Sequence, residues 1–219
     1  MRSVFEEHLN DLEQDLNLMA EMVIEAINRS VQALKEKDVQ QAKKIKKDDI
    51  HINNKRWEIE ETCIELIATQ QPVASDLREL IAVLNIITDL ERMGDYAAGI
   101  SKIVIKLGET PNVKSLIDIP RMAEIATDMI HESMKAYRGR DDQSARKIVE
   151  RDDEIDELYK QVQRELIAIM LEDPKKITRS TYLLWASHNL ERIGDRVTNI
   201  CERIVYLVTG EMIENITKQ

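Results

Sequence analysis

The 219-residue sequence holds one Phe, six Gly, four Pro and two Cys. With aromatic residues at 4% and so few chain breakers, a sheet-rich fold is disfavoured and long helices remain. The cysteines, Cys63 and Cys201, form no C-x-x-C and fall inside helical patterns. They read as small buried hydrophobes in a reducing compartment. Long hydrophobic runs are also missing. The longest, near Leu80 to Ile87, is broken by Asn85 and falls far short of the roughly 20 residues that a membrane span needs. Met1 to Asn10 carries acids and no apolar stretch, so no secretory leader is expected and the location expected is cytoplasmic. There is no G-x-S-x-G, no P-loop and no H-E-x-x-H, which leaves a hydrolase unsupported. No Glu-x-x-His occurs either, and a ferritin-like di-metal enzyme would need one on two helices of a bundle.

What is present is apolar and charged. Hydrophobic residues make up 43%, enough for a core, and charged residues 33%, against a usual share of about 25%. The 31 Lys and Arg against 41 Asp and Glu give a net charge of −10. Nucleic acid is a poor partner for such a chain, since its phosphates must be met by basic groups. The run Lys43-Lys44-Ile45-Lys46-Lys47 is a local exception and reads as a solvated helix face.

The chain repeats itself. At a shift of 103, Met19-Ala20-Glu21 falls on Met122-Ala123-Glu124, Ile27 on Ile130, Ser30 on Ser133, Ala42 on Ala145, Ile45 on Ile148 and Asp49 on Asp152. Beyond the turns near Pro72 and Pro174 the shift becomes 100. Leu90-Glu91-Arg92-Met93-Gly94-Asp95 then meets Leu190-Glu191-Arg192-Ile193-Gly194-Asp195. The expected organisation is two tandem homologous domains, 1–112 and 113–219.

Each repeat reads as three helices. In the first, apolar stripes run Leu9–Leu12–Leu16–Met19–Val23–Ile27–Ser30–Leu34 and, after Asp38 as N-cap, Ala42–Ile45–Asp49–Ile52–Arg56–Ile59–Cys63–Leu66. The third helix follows Pro72 with Leu77, Ile81, Leu84, Thr88, Glu91, Asp95 and Ala98. It also carries a second stripe, Val83, Ile86, Leu90, Met93, Ala97 and Ile100, so it should be packed on two sides. Gly108 and Pro111 end it. In the second repeat, one helix runs from near Asp118 and Pro120 to Gly139, one follows Asp141, and one starts with Asp173 as N-cap and Pro174 at the first position and ends at Gly210. The fold expected is all-α: two antiparallel three-helix bundles, six helices in all.

Carboxylates interrupt the stripes at matching places. Glu91/Asp95 and Glu191/Asp195 each put two like charges on one helix face, with Cβ atoms about 5–6 Å apart. Asp49 and Asp95 are equidistant from Pro72 along the chain, and so are Asn53 and Glu91. In the second repeat, Asp152 and Asp195, and Asp156 and Glu191, are equidistant from the Asp173–Pro174 bond. In antiparallel hairpins each foursome therefore stands at nearly one height. Crowded carboxylates need a cation or a proton. All-oxygen donors suit Mg, Ca, Mn or Fe, and zinc is disfavoured because no His or Cys joins both groups; His188, one turn before Glu191, has Thr88 as its counterpart. The competing reading is an acidic seam neutralised by arginine. By the helical turn, Arg92 points roughly 100° away from Glu91 and does not face the same pocket. Gly94 and Gly194, inside helices at about 1 kcal/mol each relative to Ala, imply close approach of a neighbour, expected to be a helix.

The doubled Leu-Glu-Arg-Met/Ile-Gly-Asp string, the preceding Asp-x-x-x-Asn/Asp, the turn Gln71-Pro72-Val73-Ala74-Ser75-Asp76-Leu77-Arg78 and Asn199-Ile200-Cys201-Glu202 together resemble the PhoU family, over about residues 5 to 210. That resemblance implies a cytoplasmic, homodimeric, non-enzymatic negative regulator of phosphate uptake and of the phosphate-starvation response. It implies as partners the ATPase subunit of the phosphate ABC transporter and a membrane sensor histidine kinase. It also implies metal sites, including iron clusters, carried onto Asp49, Asn53, Glu91 and Asp95 and onto Asp152, Asp156, Glu191 and Asp195, and no organic cofactor. Asn53 departs from the all-carboxylate form, so the first site should bind a cation more weakly. The rival is a helical scaffold whose acidic seams dock basic partners.

Overall fold

The computed structural model describes residues 2–211. Among these residues every regular element is helical: α1 (Arg2–Glu36), α2 (Val39–Gln70), α3 (Ser75–Leu107), α4 (Asp118–Gly139), α5 (Asp142–Glu150), α6 (Asp152–Glu172), a 3₁₀ turn (Pro174–Lys176) and α7 (Ile177–Thr209). Among the described residues, no helix is long and apolar enough to cross a membrane.

The helix ends follow local chemistry. The Asp38 side chain accepts from Gln41 N, and Asp141 accepts from Ser144 N, so both cap as their residue type suggests. Gly108 and Gly210 close α3 and α7 with φ of 57° and 77°. Two ends differ from expectation. The left-handed residue after α4 is Arg140 (φ 49°), one step beyond Gly139. Asp173 caps the 3₁₀ turn, accepting from Lys175 N, and that turn feeds into α7 at Ile177.

The helix expected after Asp141 is interrupted. At Arg151 (φ −74°, ψ −16°) the amide bonds back to Ile148 O, and Glu154 N bonds to Arg151 O, both three residues back. The tightened turn separates α5 from α6. It also places Asp152, Asp153 and Glu154 in a helix's first turn, where the dipole favours acids. The matching stretch of α2 runs through unbroken. An inter-helix bridge survives on both sides with its polarity exchanged. Arg29 of α1 holds Asp48 of α2 at 2.9 Å, and at the equivalent positions Glu132 of α4 holds Arg151 at 2.6 Å.

The apolar stripes of α1 and α2 are buried from Leu12 to Leu34 and from Ala42 to Leu66. On α3 the second stripe, Val83 through Ile100, is wholly buried. The first is an edge: Ile81 is 40% exposed and Thr88 is exposed, while only Ala98 of that stripe is buried. Helix α3 has α2, α1 and α7 as neighbours, so one stripe is enclosed and the other borders solvent beside α2. Cys63 and Cys201 are buried free thiols; burial pushes the Cys63 thiol up to about 12 and raises Cys201 further.

The repeats dock chiefly through α3 against α7. Asn189 lies against Gly99, Arg192 reaches the Tyr96 hydroxyl, Asn199 donates to Asp89, and Arg78 packs on Gly210. Every one of these pairs is equidistant along the chain from Ser144, which fixes one antiparallel register. Gly94 and Gly194 are equidistant from it too, so the two Glu-Arg-x-Gly-Asp strings stand level, related by an approximate two-fold. The buried side chains of both repeats merge into one continuous core.

Leu90, fully buried on α3, should cost about 2–5 kcal/mol when changed to Ala. The same change at Leu18, 50% exposed, should stay within about 0.5 kcal/mol. Urea unfolding of the two variants checks the contrast.

Candidate functional site

Each acidic foursome is set by a helix pair: α2 with α3, and α6 with α7. The glycine at the centre of each string lets the pair close. A Cβ on Gly94 would lie 3.0 Å from Ile52 Cδ1 and 3.5 Å from Asp49 Oδ1. On Gly194 it would collide with Asp152 Oδ1 and stand 3.1 Å from Ile155 Cδ1. What approaches each glycine is a neighbouring helix, as expected, and specifically the side of it that carries the carboxylate.

Proximity shows in the charges. Burial, then Asp156, Asp195 and Glu191 in turn, push the Asp152 carboxyl up to about 7. Burial and Asp195 raise Asp156 and Glu191 as well. In the first repeat, burial raises Asp49, with Asp95 and then Glu91 adding to it and Lys102 opposing. The structure thus brings Asp49 together with Glu91 and Asp95, and Asp152 with Asp156, Glu191 and Asp195. The seams are unequal for two reasons. Asp156, the neighbour that most raises Asp152, is matched by neutral Asn53. Lys102, which lowers Asp49, is matched by Glu202.

Arginine reaches the seams more directly than the helical wheel indicates. Arg92 Nη1 lies 3.6 Å from Asp95 Oδ2, and its Nε 3.8 Å from Glu91 Oε2. Arg192 Nη1 donates to Asp195 Oδ2 at 3.0 Å. A guanidinium on a three-carbon stem bends along the helix to the residue three positions on, and the Cβ direction does not confine it. Arg92 is 58% exposed, so its pairing is a weak, screened one.

The donors suit a hard cation in kind: carboxylates in both seams, with an amide in the first. Asn53 Oδ1 and Glu191 Oε2 are buried without a hydrogen-bond partner among the described residues. His188 Nδ1 stands 3.2 Å from that glutamate oxygen, within ion-pair range but without hydrogen-bond geometry. Among the described residues, no three His, Cys, Asp or Glu side chains are gathered so as to hold a metal ion as they stand. The carboxylates feel one another's charge, and closing a shell around an ion requires side-chain rotation.

Two features beside the seams were not evident from the stripes. Tyr159 stacks near His188, ring centroids 5.9 Å apart, and the Glu191 charge adds to burial in raising its hydroxyl. Asp89, nearly buried, accepts from Arg196 and Asn199 at 3.3 Å each across the repeat interface. Its burial raises its carboxyl, and those two partners counter the rise. Only the α3–α7 register reveals the second cluster; the exchange of Asp89 for Asn189 between repeats was its one trace in the sequence.

The PhoU domain family matches residues 16–104 and 119–204. The chain is 40% identical over 215 residues to the phosphate-specific transport system accessory protein PhoU homolog of Clostridium acetobutylicum, covering 97% of this chain and 98% of that one. It is 38% identical over 207 residues to the homolog of Aquifex aeolicus, covering 94% of each. The crystal structure of the phosphate transport system regulatory protein PhoU from Streptococcus pneumoniae superposes with a TM-score of 0.89 at 34% identity, over 96% of this chain and 99% of that one. That of PhoU from Pseudomonas aeruginosa gives the same score and identity over 94% and 100%.

Asp152 gives a prediction with a definite sign. Its folded pKa of about 7 lies above the ordinary 3.8, so the folded state holds the proton more tightly than the unfolded. The stability this contributes is full below 3.8 and is lost as pH rises through about 7. In metal-free buffer, Asp152→Asn should therefore gain on the parent protein across that window, by on the order of 1 kcal/mol after solvent screening, and hold level above it. Denaturant midpoints at successive pH values measure the gap; a gap that stays constant refutes the crowding.

Proposed function

This chain belongs to the PhoU family, and from that premise we propose that it is a cytoplasmic, non-catalytic negative regulator of phosphate uptake and of the phosphate-starvation response. In this reading it couples the phosphate ABC transporter, through its ATPase subunit, to a membrane sensor histidine kinase, and works as a homodimer. Relatives covered almost end to end are named as accessory proteins of the phosphate-specific transport system, which supports the transporter link. A docking role is also supported by α2, where Ile50, Trp57 and Ile64 recur every seven residues on one outward face at 54%, 63% and 57% exposure.

The observation that carries the reading is the doubled seam, in which neighbouring carboxylates raise one another's proton affinity in both repeats. A cation would be held by Asp152, Asp156, Glu191 and Asp195 in the second repeat, and by Asp49, Asn53, Glu91 and Asp95 in the first. Bound there, it supplies positive charge that joins α6 to α7 and α2 to α3. Fe, Mn, Mg and Ca all match the oxygen donors. The chain's own part is to admit Asp49 and Asp152 close to the glycine-bearing helices and to keep both partly out of water. A second reading is favoured by Arg92 and Arg192, which already engage the seams: a cationic side chain of a partner takes the place of the ion.

A strain lacking the protein should express phosphate-starvation genes in phosphate-rich medium. The parent gene should restore repression, and Glu91→Ala/Glu191→Ala should not; normal repression in the deletion strain would sink the regulatory reading. Calorimetric titration with Mn²⁺ should find the second seam tighter by about tenfold or more, since it carries more negative charge. Glu191→Ala should remove that tighter phase and Glu91→Ala the weaker one. Equal affinities would show that Asn53 and Lys102 do not matter, and an absence of binding would leave the docking reading.

A further inference from the structure

The hairpin of α4 and α5 encloses a groove of about 700 Å³, lined by Lys135, Arg138, Gly139, Ser144, Lys147 and Arg151 together with Glu132 and Asp141. Four cations face two acids there, in a chain of net charge −10. Both acids are engaged. Glu132 takes Arg151 at 2.6 Å. Asp141 accepts from Ser144 N at 2.9 Å and from Ser144 Oγ at 2.6 Å, as the cap of α5. Arg138 is bridged to Glu13 of α1 at 2.7 Å and remains 62% exposed. Lys135 and Lys147 are exposed and are in no ion pair among the described residues. The Glu132–Arg151 bridge and the Lys135–Lys147 pair are both centred on the turn at Asp141. The two lysines therefore stand at nearly one height, across the groove from each other.

The first repeat serves as a control within the same molecule. At the matching positions it has Arg29, Gln32, Lys35, Glu36, Asp38, Gln41, Lys44 and Asp48, three cations balanced by three acids. Gln32 stands where the second repeat has Lys135, and its amide donates to Glu36. Glu36 is replaced by Gly139. The second repeat has thus gained a cation, lost an acid and lost the side-chain bond that spans this stretch of the first.

We propose that this groove binds a small soluble oxyanion bearing more than one phosphate-type group, with Lys135 and Lys147 as its main contacts and Arg138 and Arg151 beside them. Asp141 offsets part of the Lys147 charge, and an anion in the groove would be attracted by what remains together with Lys135. The guanidiniums offer the planar donor pairs that phosphate oxygens accept. The groove's volume and its four cations suit a chain of phosphates better than a single one. The groove shares no lining residue with the carboxylate seams, although Arg151 directly precedes Asp152, and it does not depend on the regulatory reading.

Calorimetric titration of the full chain with sodium tripolyphosphate, at about 0.1 M salt to screen diffuse attraction, tests this. The parent protein should show one saturable site. Lys135→Gln/Lys147→Gln, and separately Gly139→Glu, should weaken it at least tenfold, with circular dichroism melts unchanged because these positions are exposed. Lys43→Gln/Lys44→Gln, in the basic run of α2, should leave it unchanged. No saturable binding, equal affinity in the groove variants, or loss in the α2 variant instead would each overturn the site. Phosphatidylglycerol vesicles present the same chemistry on a lipid. The protein should not sediment with them, and sedimentation without tripolyphosphate binding would overturn the assignment to a soluble ligand.

Discussion

Everything else in the molecule depends on the antiparallel docking of α3 against α7. These helices are homologous, so their packing brings a repeated sequence into contact with itself about an approximate two-fold. Gly99 under Asn189 and Gly210 under Arg78 let the backbones approach, and Asp89 with Arg196 and Asn199 fills the polar part of the seam. With α1 and α4 also in contact, the two repeats share one core. The Glu-Arg-x-Gly-Asp strings are fixed at one level by this register, with α2 and α6 closing over them from outside.

That closure has an electrostatic cost. Gly94 and Gly194 admit Asp49 and Asp152 close to the helix backbone, where burial and neighbouring carboxylates both oppose ionisation. A stable bundle does not need acids there, since apolar residues would pack at lower cost. Arg92 and Arg192 offset part of the crowding from the exposed side, and among the described residues two buried oxygens, Asn53 Oδ1 and Glu191 Oε2, still lack hydrogen-bond partners. The arrangement is one that an added positive charge, from an ion or from a partner, would relax.

Duplication followed by divergence makes each repeat a reference for the other. The Arg29–Asp48 bridge is conserved in position and reversed in sign as Glu132–Arg151, so what matters there is opposite charge across two helices, whichever helix carries the cation. Asn53 for Asp156 and Lys102 for Glu202 change the charge of a seam. Gln32 for Lys135 and Glu36 for Gly139 change a hydrogen-bonded surface into a basic groove. These substitutions separate what the fold requires of both halves from what has become specific to one.

Local signals in the chain set the helices. Asp38 and Asp141 cap where capping residues stand, Gly108 and Gly210 stop their helices with positive φ, and the buried stripes of α1 and α2 follow the three-four spacing. The approach of Asp49 to Glu91 and Asp95, and of Asp152 to Asp156, Glu191 and Asp195, was also legible, because in a hairpin equal distance from the turn means equal height. The break at Arg151 was not legible, since the same spacing continues through it and an inter-helix bridge holds both Arg151 and Asp48; only the acids that follow, Asp152-Asp153-Glu154 against Asp49-Ile50-His51, distinguish the two stretches. Which stripe of α3 faces the core was likewise undecided until α7 covered one side and solvent the other. The reach of Arg92 into its seam and the Asp89 cluster belong to tertiary structure alone. Each joins residues distant along the chain or depends on how a flexible side chain bends, and neither is written in helical periodicity.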